Sequence, residues 1–181
     1  MNIFNQQNLR QWKIEARAFM IPFTPFSHNF WLLSSPDNMP MDQLHGLAVN
    51  PETGKTKAIG TSADNLQVVR DATISWSLQE GQPIKVCLAA CESEVKVRWQ
   101  SAIQAIPAIN ALKLPYPDWW QHFYRKNSNT IFNTLGRIMG IASPAHQLPT
   151  WAPGIHFVIS HDMIRQYAYP SHRSLSLTSK T

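Results

Sequence analysis

The segment Asn127-Ser128-Asn129-Thr130-Ile131-Phe132-Asn133-Thr134-Leu135-Gly136-Arg137-Ile138-Met139-Gly140 decides the fold of this 181-residue chain. Its large apolar residues recur at the spacing of one helix face: Ile131, Phe132, Leu135, Ile138 and Met139. Asn127 is a good helix N-cap, and Gly140 suits the position just after a helix end. The segment therefore predicts a helix over 127–140 whose apolar face packs against another layer of the protein.

The chain on either side of this helix carries several strand patterns. Phe26 to Leu33 and Gln43 to Val49 predict two strands, and the turn residues between them predict a β-hairpin. Shorter strands are predicted at four other places: Ala58 to Gly60, Leu66 to Val69, Ile84 to Ala90 as a buried strand, and Ile155 to Ser160.

Two more helices complete the predicted elements. They cover Asn8 to Arg17 and Glu92 to Ile106, the second ending before Pro107. The length of the chain predicts one domain over residues 1–170, with its core over about 26–160. Residues 171–181 are rich in serine and predict a flexible C-terminal tail.

Composition and charge narrow the class of protein. Hydrophobic residues make up 44% of the chain and charged residues 15%, which excludes disordered, collagen-like and coiled-coil proteins. The net charge of +5 suits an anionic partner, but Lys and Arg are scattered and no nucleic-acid motif occurs, so nucleic acid is not predicted as a partner. No stretch approaches the roughly 20 apolar residues of a membrane span. The N-terminus lacks the pattern of a secretory signal, which predicts synthesis in the cytoplasm without a signal peptide.

Cys87 and Cys91 are the two cysteines of the chain. They lie four residues apart, with no second cysteine pair or neighbouring histidine to complete a tetrahedral metal site. The sequence therefore predicts no metal and no cofactor. Both thiols are interpreted as small buried hydrophobic groups.

Ser128 is the candidate nucleophile. It lies three, four and seven residues before Ile131, Phe132 and Leu135, so it belongs to the inward stripe of the helix at its first turn. Free amides and the positive end of the helix dipole surround this position and favour a developing oxyanion. The same Asn-Ser-Asn-Thr residues are also typical of a simple helix cap.

A serine nucleophile needs a base, and two histidines lie on the predicted hairpin. His28 is at the start of the first strand and His45 is on the second, so one sheet face can carry both. Each also fits a purely structural role in a sheet. The other five histidines are treated as background: His122, His146, His156, His161 and His172.

The order His28, His45, Ser128 resembles the circularly permuted NlpC/P60-like, papain-like hydrolases, a superfamily that includes the lecithin:retinol acyltransferase group. His28 precedes His45 by 17 residues and Ser128 by 100, a scale similar to that of the permuted arrangement. The usual nucleophile of this superfamily is cysteine. Ser128 therefore implies a serine enzyme, a replaced cysteine or an inactive relative.

The resemblance implies an α+β papain-like fold, in which an antiparallel sheet carrying the histidines packs on the helix carrying the nucleophile. It also implies roles in acyl transfer. His28 accepts the proton of Ser128, and a second polar residue orients the imidazole. His45 fits that second role by order, and Asp42, Gln43 and Asn29 are the nearby alternatives.

Residues 127–132 are similar to the helix motif of bacterial secreted toxins of this superfamily, and Gly140-Ile141, Pro144 and Pro153-Gly154 also resemble that branch. The branch includes cell-wall hydrolase effectors of the type VI secretion system. The resemblance implies a monomeric antibacterial effector that is exported to the periplasm of a target cell. It implies a peptidoglycan amide or peptide bond as substrate, a secretion-machine carrier and a cognate immunity protein.

Asn127, Trp31, Trp119 and Trp120 are the expected substrate contacts. The last two belong to an aromatic loop that suits a membrane interface, a sugar or peptide groove, or a core cluster: Tyr116, Trp119, Trp120, Phe123 and Tyr124. Two alternative functions stay open. One is a phospholipase or acyltransferase of the same fold, and the other is an inactive papain-like module that binds a protein.

Overall fold

The computed structural model describes residues 11–169, so the predicted tail over 171–181 lies outside the described residues. Six antiparallel strands form an open sheet with the order β4-β3-β2-β1-β6, and β5 pairs with β3. The strands are β1 (Trp12–Met20), β2 (Ser27–Ser34), β3 (Pro40–Val49), β4 (Thr56–Lys57), β5 (Asn65–Arg70) and β6 (Ile84–Ala90).

Three α-helices accompany the sheet: α1 (Glu92–Ala111), α2 (Ser128–Ile138) and α3 (His161–Tyr167). Short 3-10 helices cover Trp119–Phe123 and Pro144–His146. The α+β fold class is therefore confirmed. No helix within residues 11–169 is long and apolar enough to cross a membrane.

The predicted N-terminal helix over Asn8 to Arg17 is wrong from residue 12 onward, because that part of the chain is β1. Ile14, Ala16 and Ala18 are fully buried and alternate with Lys13, Glu15 and Arg17. This is the two-residue period of a strand with one buried face. Residues 8–10 lie outside the described part of the chain.

Other sequence predictions are corrected at the edges of the fold. The strand over Ile84 to Ala90 exists as β6, but most of it is exposed because it pairs only with β1 at the sheet edge. Ala58 to Gly60 follows β4 as a bend, and Ile155 to Ser160 forms turns instead of a strand. The helix α1 continues through Pro107 to Ala111, because the exposed proline leaves the freed carbonyl of the previous turn accessible to water.

The structure confirms the predicted residues at the two ends of α2, but it does not confirm that both cysteines are buried. Asn127 is the N-cap of α2, and Gly140 follows the helix with a φ of +73°, as the sequence predicts. Cys87 is half-buried, whereas Cys91 is exposed at the N-cap of α1, so its prediction as a buried residue is wrong.

The face of the sheet formed by Trp31, Leu44 and Gly46 packs on α2. The indole Nε1 of Trp31 donates to the carbonyl of Phe132 at 2.8 Å, and the two rings stack 4.3 Å apart. A Cβ on Gly46 would lie 2.7 Å from the carbonyl oxygen of Ser128, so only glycine lets the first turn of α2 come this close. The sheet therefore holds the N-terminus of α2 at a fixed depth.

His28 and His45 lie on the other face of the sheet, since side chains alternate along a strand. The segment 71–83 between β5 and β6 covers this face and brings Trp76 close to both imidazoles, with ring centroids 6.1 Å and 6.0 Å away. The histidines are therefore enclosed between the sheet and this segment, and both are buried.

Candidate active site

The first turn of α2 is held by its own cap. The Oδ1 atom of Asn127 accepts hydrogen bonds from the amides of Asn129 at 2.9 Å and Thr130 at 3.3 Å. Its Nδ2 atom donates to the carbonyls of His122 and Pro153, both at 2.9 Å. Asn127 is fully buried and all of these bonds are internal, so its side chain is engaged in positioning the helix. Its contact with substrate stays a prediction of the sequence.

Asn129 joins α2 to the strand that carries His28. Its Oδ1 atom accepts from the amide of Asn29 at 2.9 Å, and its Nδ2 atom donates to the carbonyl of Ser27 at 3.0 Å and that of Pro153 at 3.1 Å. The side chain therefore grips the backbone on both sides of His28. This clamp fixes His28 relative to Ser128, and the sequence analysis did not identify it.

Ser128 is buried beside a narrow cavity of about 30 Å³ that is partly open to solvent. Its own backbone amide makes no hydrogen bond with any of residues 11–169 and lies at the positive end of the helix dipole. Tyr116 lines the same cavity, and burial raises the pKa of its phenol to about 12. A free amide on the serine and a neutral phenol on the cavity wall are thus available as hydrogen-bond donors.

His28 lines the same cavity as Ser128, although 100 residues separate them. In the described part of the chain no direct hydrogen bond joins these two side chains, and Nδ1 of His28 is buried without a partner.

A chain of side chains continues from His28 into the protein. The Nε2 atom of His28 is 3.1 Å from Nδ1 of His45, and Nε2 of His45 is 2.9 Å from Oε1 of Gln43. The hydroxyl of Ser77 donates to the same Oε1 at 2.8 Å, and Nε2 of Gln43 donates to the carbonyl of Ile74 at 3.1 Å. These four side chains, His28, His45, Gln43 and Ser77, are called the histidine relay below.

Burial keeps both imidazoles neutral. Loss of hydration lowers the pKa of His28 from 6.5 to about 4, and the same cause, with repulsion from His28, lowers the pKa of His45 to about 2. A neutral imidazole is the form that can accept a proton, so His28 is available as a base at neutral pH.

The other polar residues considered for the second role are engaged elsewhere. Asp42 accepts from the indole of Trp99 at 2.9 Å and from Arg70 at 2.6 Å. The side chain of Asn29 accepts from the hydroxyl of Ser27 at 2.8 Å. The structure therefore brings His45 next to His28, and Gln43 next to His45.

Aromatic side chains surround the cavity mouth. Phe26 lies at their centre, with ring centroids 5.9 Å from Trp119, 5.4 Å from Phe123 and 4.9 Å from Trp151. The last three are 49–58% exposed. These four residues are called the aromatic rim below, and Phe123 also lines a second, open groove along residues 145–156.

The expected substrate tryptophans have different positions. Trp119 lines the cavity, and Trp120 is exposed but does not line it. Trp31 is fully buried in the core under α2 and is not among the residues that line the cavity. The core-cluster interpretation of the aromatic loop holds only for Tyr116, since the other four side chains are exposed.

His122, treated as background in the sequence, also lines the cavity. Burial lowers its pKa, and its Nε2 atom is buried without a partner among the described residues. In the described part of the chain, no side-chain relay like that behind His28 supports its ring. Its position next to the aromatic loop was the only sequence signal for it.

Residues 11–169 contain no cluster of three or more His, Cys, Asp or Glu side chains that is suited to a metal ion. Comparison of the chain with protein-family models, with curated proteins and with solved structures finds no match. The functional assignment therefore depends on the geometry around Ser128.

Proposed function

We propose that this protein is a hydrolase that transfers an acyl group to Ser128 and then to water, and that it acts on the bacterial cell envelope. The observation that carries the proposal is the shared cavity of Ser128 and His28, which is lined both by a serine at a helix N-terminus and by a buried neutral histidine. The α+β fold and the order of these residues support a papain-like architecture.

The proposed reaction has two halves. Oγ of Ser128 attacks the substrate carbonyl while its proton passes to Nδ1 of His28, and the amide of Ser128 and the phenol of Tyr116 donate to the resulting oxyanion. The bond to the leaving group breaks as that group takes the proton from His28. Water then attacks the acyl-enzyme, His28 accepts the water proton, and Ser128 regains a proton as the acid leaves.

A serine makes this base essential. A thiol is partly ionised near neutral pH, whereas a hydroxyl is not, so Ser128 depends on His28 for activation more than a cysteine would. The histidine relay supplies a second imidazole, His45, that orients the first one.

The lining of the site bears on the choice of substrate. Among described residues, neither the cavity nor the adjoining groove is lined by any Lys, Arg, Asp or Glu. The stem peptides of peptidoglycan carry carboxylates, which bind best to cationic groups. The lining therefore favours an apolar acyl group, as in a lipid ester or amide, over the peptidoglycan bond that the sequence favours.

The biological setting is part of the same proposal. As a toxin, the protein is carried by a secretion machine to the periplasm of the target cell, and it is neutralised in the producer by an immunity protein that covers the cavity. The competing class is an inactive papain-like module that uses the same cavity to bind a protein.

Expression in a Gram-negative cell tests the proposal. We expect lysis or growth arrest when the chain carries a periplasmic signal, none when it stays in the cytoplasm, and none from periplasmic Ser128→Ala. Purified protein is then incubated with wall fragments and with phospholipid vesicles to identify the bond.

Two other outcomes would change the role proposed for Ser128. Toxicity that persists in Ser128→Ala contradicts the nucleophile. Toxicity that appears only in Ser128→Cys means that the serine is a disabling replacement of a cysteine.

A further inference from the structure

We infer that Gln43 is a positioning residue that fixes His45 and His28 in the tautomers that leave Nδ1 of His28 free to accept a proton. The inference rests on the proposed function for its catalytic meaning, but the arrangement of protons follows from the hydrogen bonds alone. Each hydrogen bond of the histidine relay determines which atom of the next side chain carries the proton.

The backbone carbonyl of Ile74 determines how the side-chain amide of Gln43 is oriented. The carbonyl of Ile74 can only accept, so the side-chain atom of Gln43 that lies 3.1 Å from it must be the amide nitrogen. The other amide atom is therefore the oxygen Oε1, and it faces both His45 and Ser77. The hydroxyl of Ser77 donates to Oε1 at 2.8 Å and also lies 3.1 Å from the Ile74 carbonyl, which agrees with this orientation.

The oxygen of Gln43 then determines the tautomer of His45. Because Oε1 has no proton, Nε2 of His45 must carry one to bond across 2.9 Å. A neutral imidazole has one N–H, so Nδ1 of His45 carries only a lone pair. That lone pair faces Nε2 of His28 at 3.1 Å.

The tautomer of His28 follows in the same way. Its Nε2 must carry the proton that bonds to Nδ1 of His45, and its Nδ1 is left with a lone pair. This nitrogen is the buried atom that has no partner among the described residues, and His28 is one of the residues that line the cavity of Ser128. The relay therefore leaves the basic nitrogen of His28 on the side of the ring away from His45.

The opposite arrangement is excluded by repulsion. A proton on Nδ1 of His28 would require a proton on Nδ1 of His45, and the lone pair on Nε2 of His45 would then face the lone pairs of Oε1 of Gln43 at 2.9 Å. Nothing on the chain would relieve this contact, since Gln43 is buried and its nitrogen is engaged with Ile74. An unfavourable pair of acceptors in a buried site is costly.

Nitrogen-15 NMR of the histidine rings tests the inference on the unmodified protein near pH 7. We expect the rings of His28 and His45 each to be protonated at Nε2 only, with ring signals assigned by the variants His28→Gln and His45→Gln. A proton on Nδ1 of His28 in the unmodified chain would overturn the inference, whether or not the protein has hydrolase activity.

The variant Gln43→Met supplies the second readout, because methionine has a similar length and no carbonyl. We expect mixed tautomers for both histidines and a fall in kcat of about 10- to 100-fold with little change in KM, similar to the loss of other groups that orient a catalytic ligand. Gln147→Met is the matched control, since Gln147 also bonds backbone carbonyls but lies outside the cavity lining.

The outcomes separate the two proposals. Unchanged tautomers and kcat in Gln43→Met would refute the role of Gln43. Expected tautomers in a protein that shows no turnover on any acyl substrate would leave the proton arrangement intact and count against the proposed hydrolase.

Discussion

The histidine relay and the aromatic rim both contribute residues to the lining of the same cavity, and they are held together by different interactions. The relay is buried and consists of side chains joined by hydrogen bonds of 2.8–3.1 Å from the strands to the segment 71–83. Three of the four side chains of the aromatic rim are about half exposed. Their rings contact one another, and no side-chain hydrogen bond among the described residues fixes them. In the proposed hydrolase, the histidine relay therefore serves the chemical step and the aromatic rim serves substrate recognition.

The largest expected effect comes from removing the base. His28→Ala should lower kcat by about 10³-fold or more, because general-base activation of a hydroxyl contributes this much. His122→Ala removes a second imidazole from the same cavity that has no relay behind it, and should lower kcat by no more than about tenfold. Steady-state kinetics on an acyl ester measures both, and near-normal turnover in His28→Ala would remove the relay from the mechanism.

The clamp on His28 gives the next effect. Asn129→Ala removes the three bonds that hold Ser27, Asn29 and Pro153 to α2, and a misplacement of about 1 Å costs roughly 100-fold in rate. Asn133→Ala is the control, because Asn133 is equally buried one turn later and bonds the carbonyl of Phe157.

Both asparagine variants should lose about 1–3 kcal/mol of stability, since each leaves buried groups unpaired. Only Asn129→Ala should also lose the rate. Denaturant unfolding gives the first quantity and kcat gives the second. An equal loss of rate in both variants would show that the effect is general loosening of α2.

Acid should unfold the protein through the buried histidines. Unfolded histidines take up a proton near pH 6.5, whereas His28 and His45 stay neutral in the fold down to about pH 4 and 2. The unfolded state therefore binds more protons below pH 6.5, and stability falls as the pH decreases, by up to about 1.4 kcal/mol per pH unit for each histidine.

Denaturant titrations between pH 7 and pH 4.5 measure this slope. In His28→Gln the slope should be smaller, because one of the two groups is gone. The rim variant Trp151→Ala should keep the slope of the unmodified protein. A slope that is the same in His28→Gln would place the acid sensitivity elsewhere in the chain.

The aromatic rim should give the smallest effect and a different kinetic signature. Phe123→Ala or Trp151→Ala should raise KM about tenfold for a long acyl chain, in line with the transfer energy of one large apolar side chain. The change should be less for a short chain, and kcat should stay within about twofold. A fall in kcat without a change in KM would mean that the aromatic rim acts in the chemical step. It would contradict the separate roles of the rim and the histidine relay.

Much of the fold was predictable where the residues of a segment fit only one kind of secondary structure. The apolar stripe and cap of α2 and the alternation in β2 and β3 gave those elements close to their observed bounds. Residues 12–17 were misassigned because helical and strand patterns overlap in a short segment, and pairing with both β2 and β6 decides for a strand. The chain through Pro107 stays helical because the proline is on the exposed side of α1.

The site was only partly accessible from the sequence. Ser128, His28 and His45 were identified by position, and Gln43 shares a face with His45 two residues away, which is a signal of strand alternation. Tyr116, Trp76 and Ser77 reach the site through loops, and no local pattern places a loop against a strand 30 or more residues away. Asn127 and Trp31 are buried, which the sequence did not indicate, because burial and capping use the same residue types as binding.

The most direct test of the central claim is labelling with an alkyl fluorophosphonate, followed by mass spectrometry of the digested protein. The account predicts one adduct on Ser128 in the unmodified chain and at least about a hundredfold slower labelling in His28→Ala. It also predicts unchanged labelling in the control Trp120→Ala, since Trp120 is exposed and does not line the cavity. The absence of an adduct on Ser128, or labelling that does not depend on His28, would contradict it.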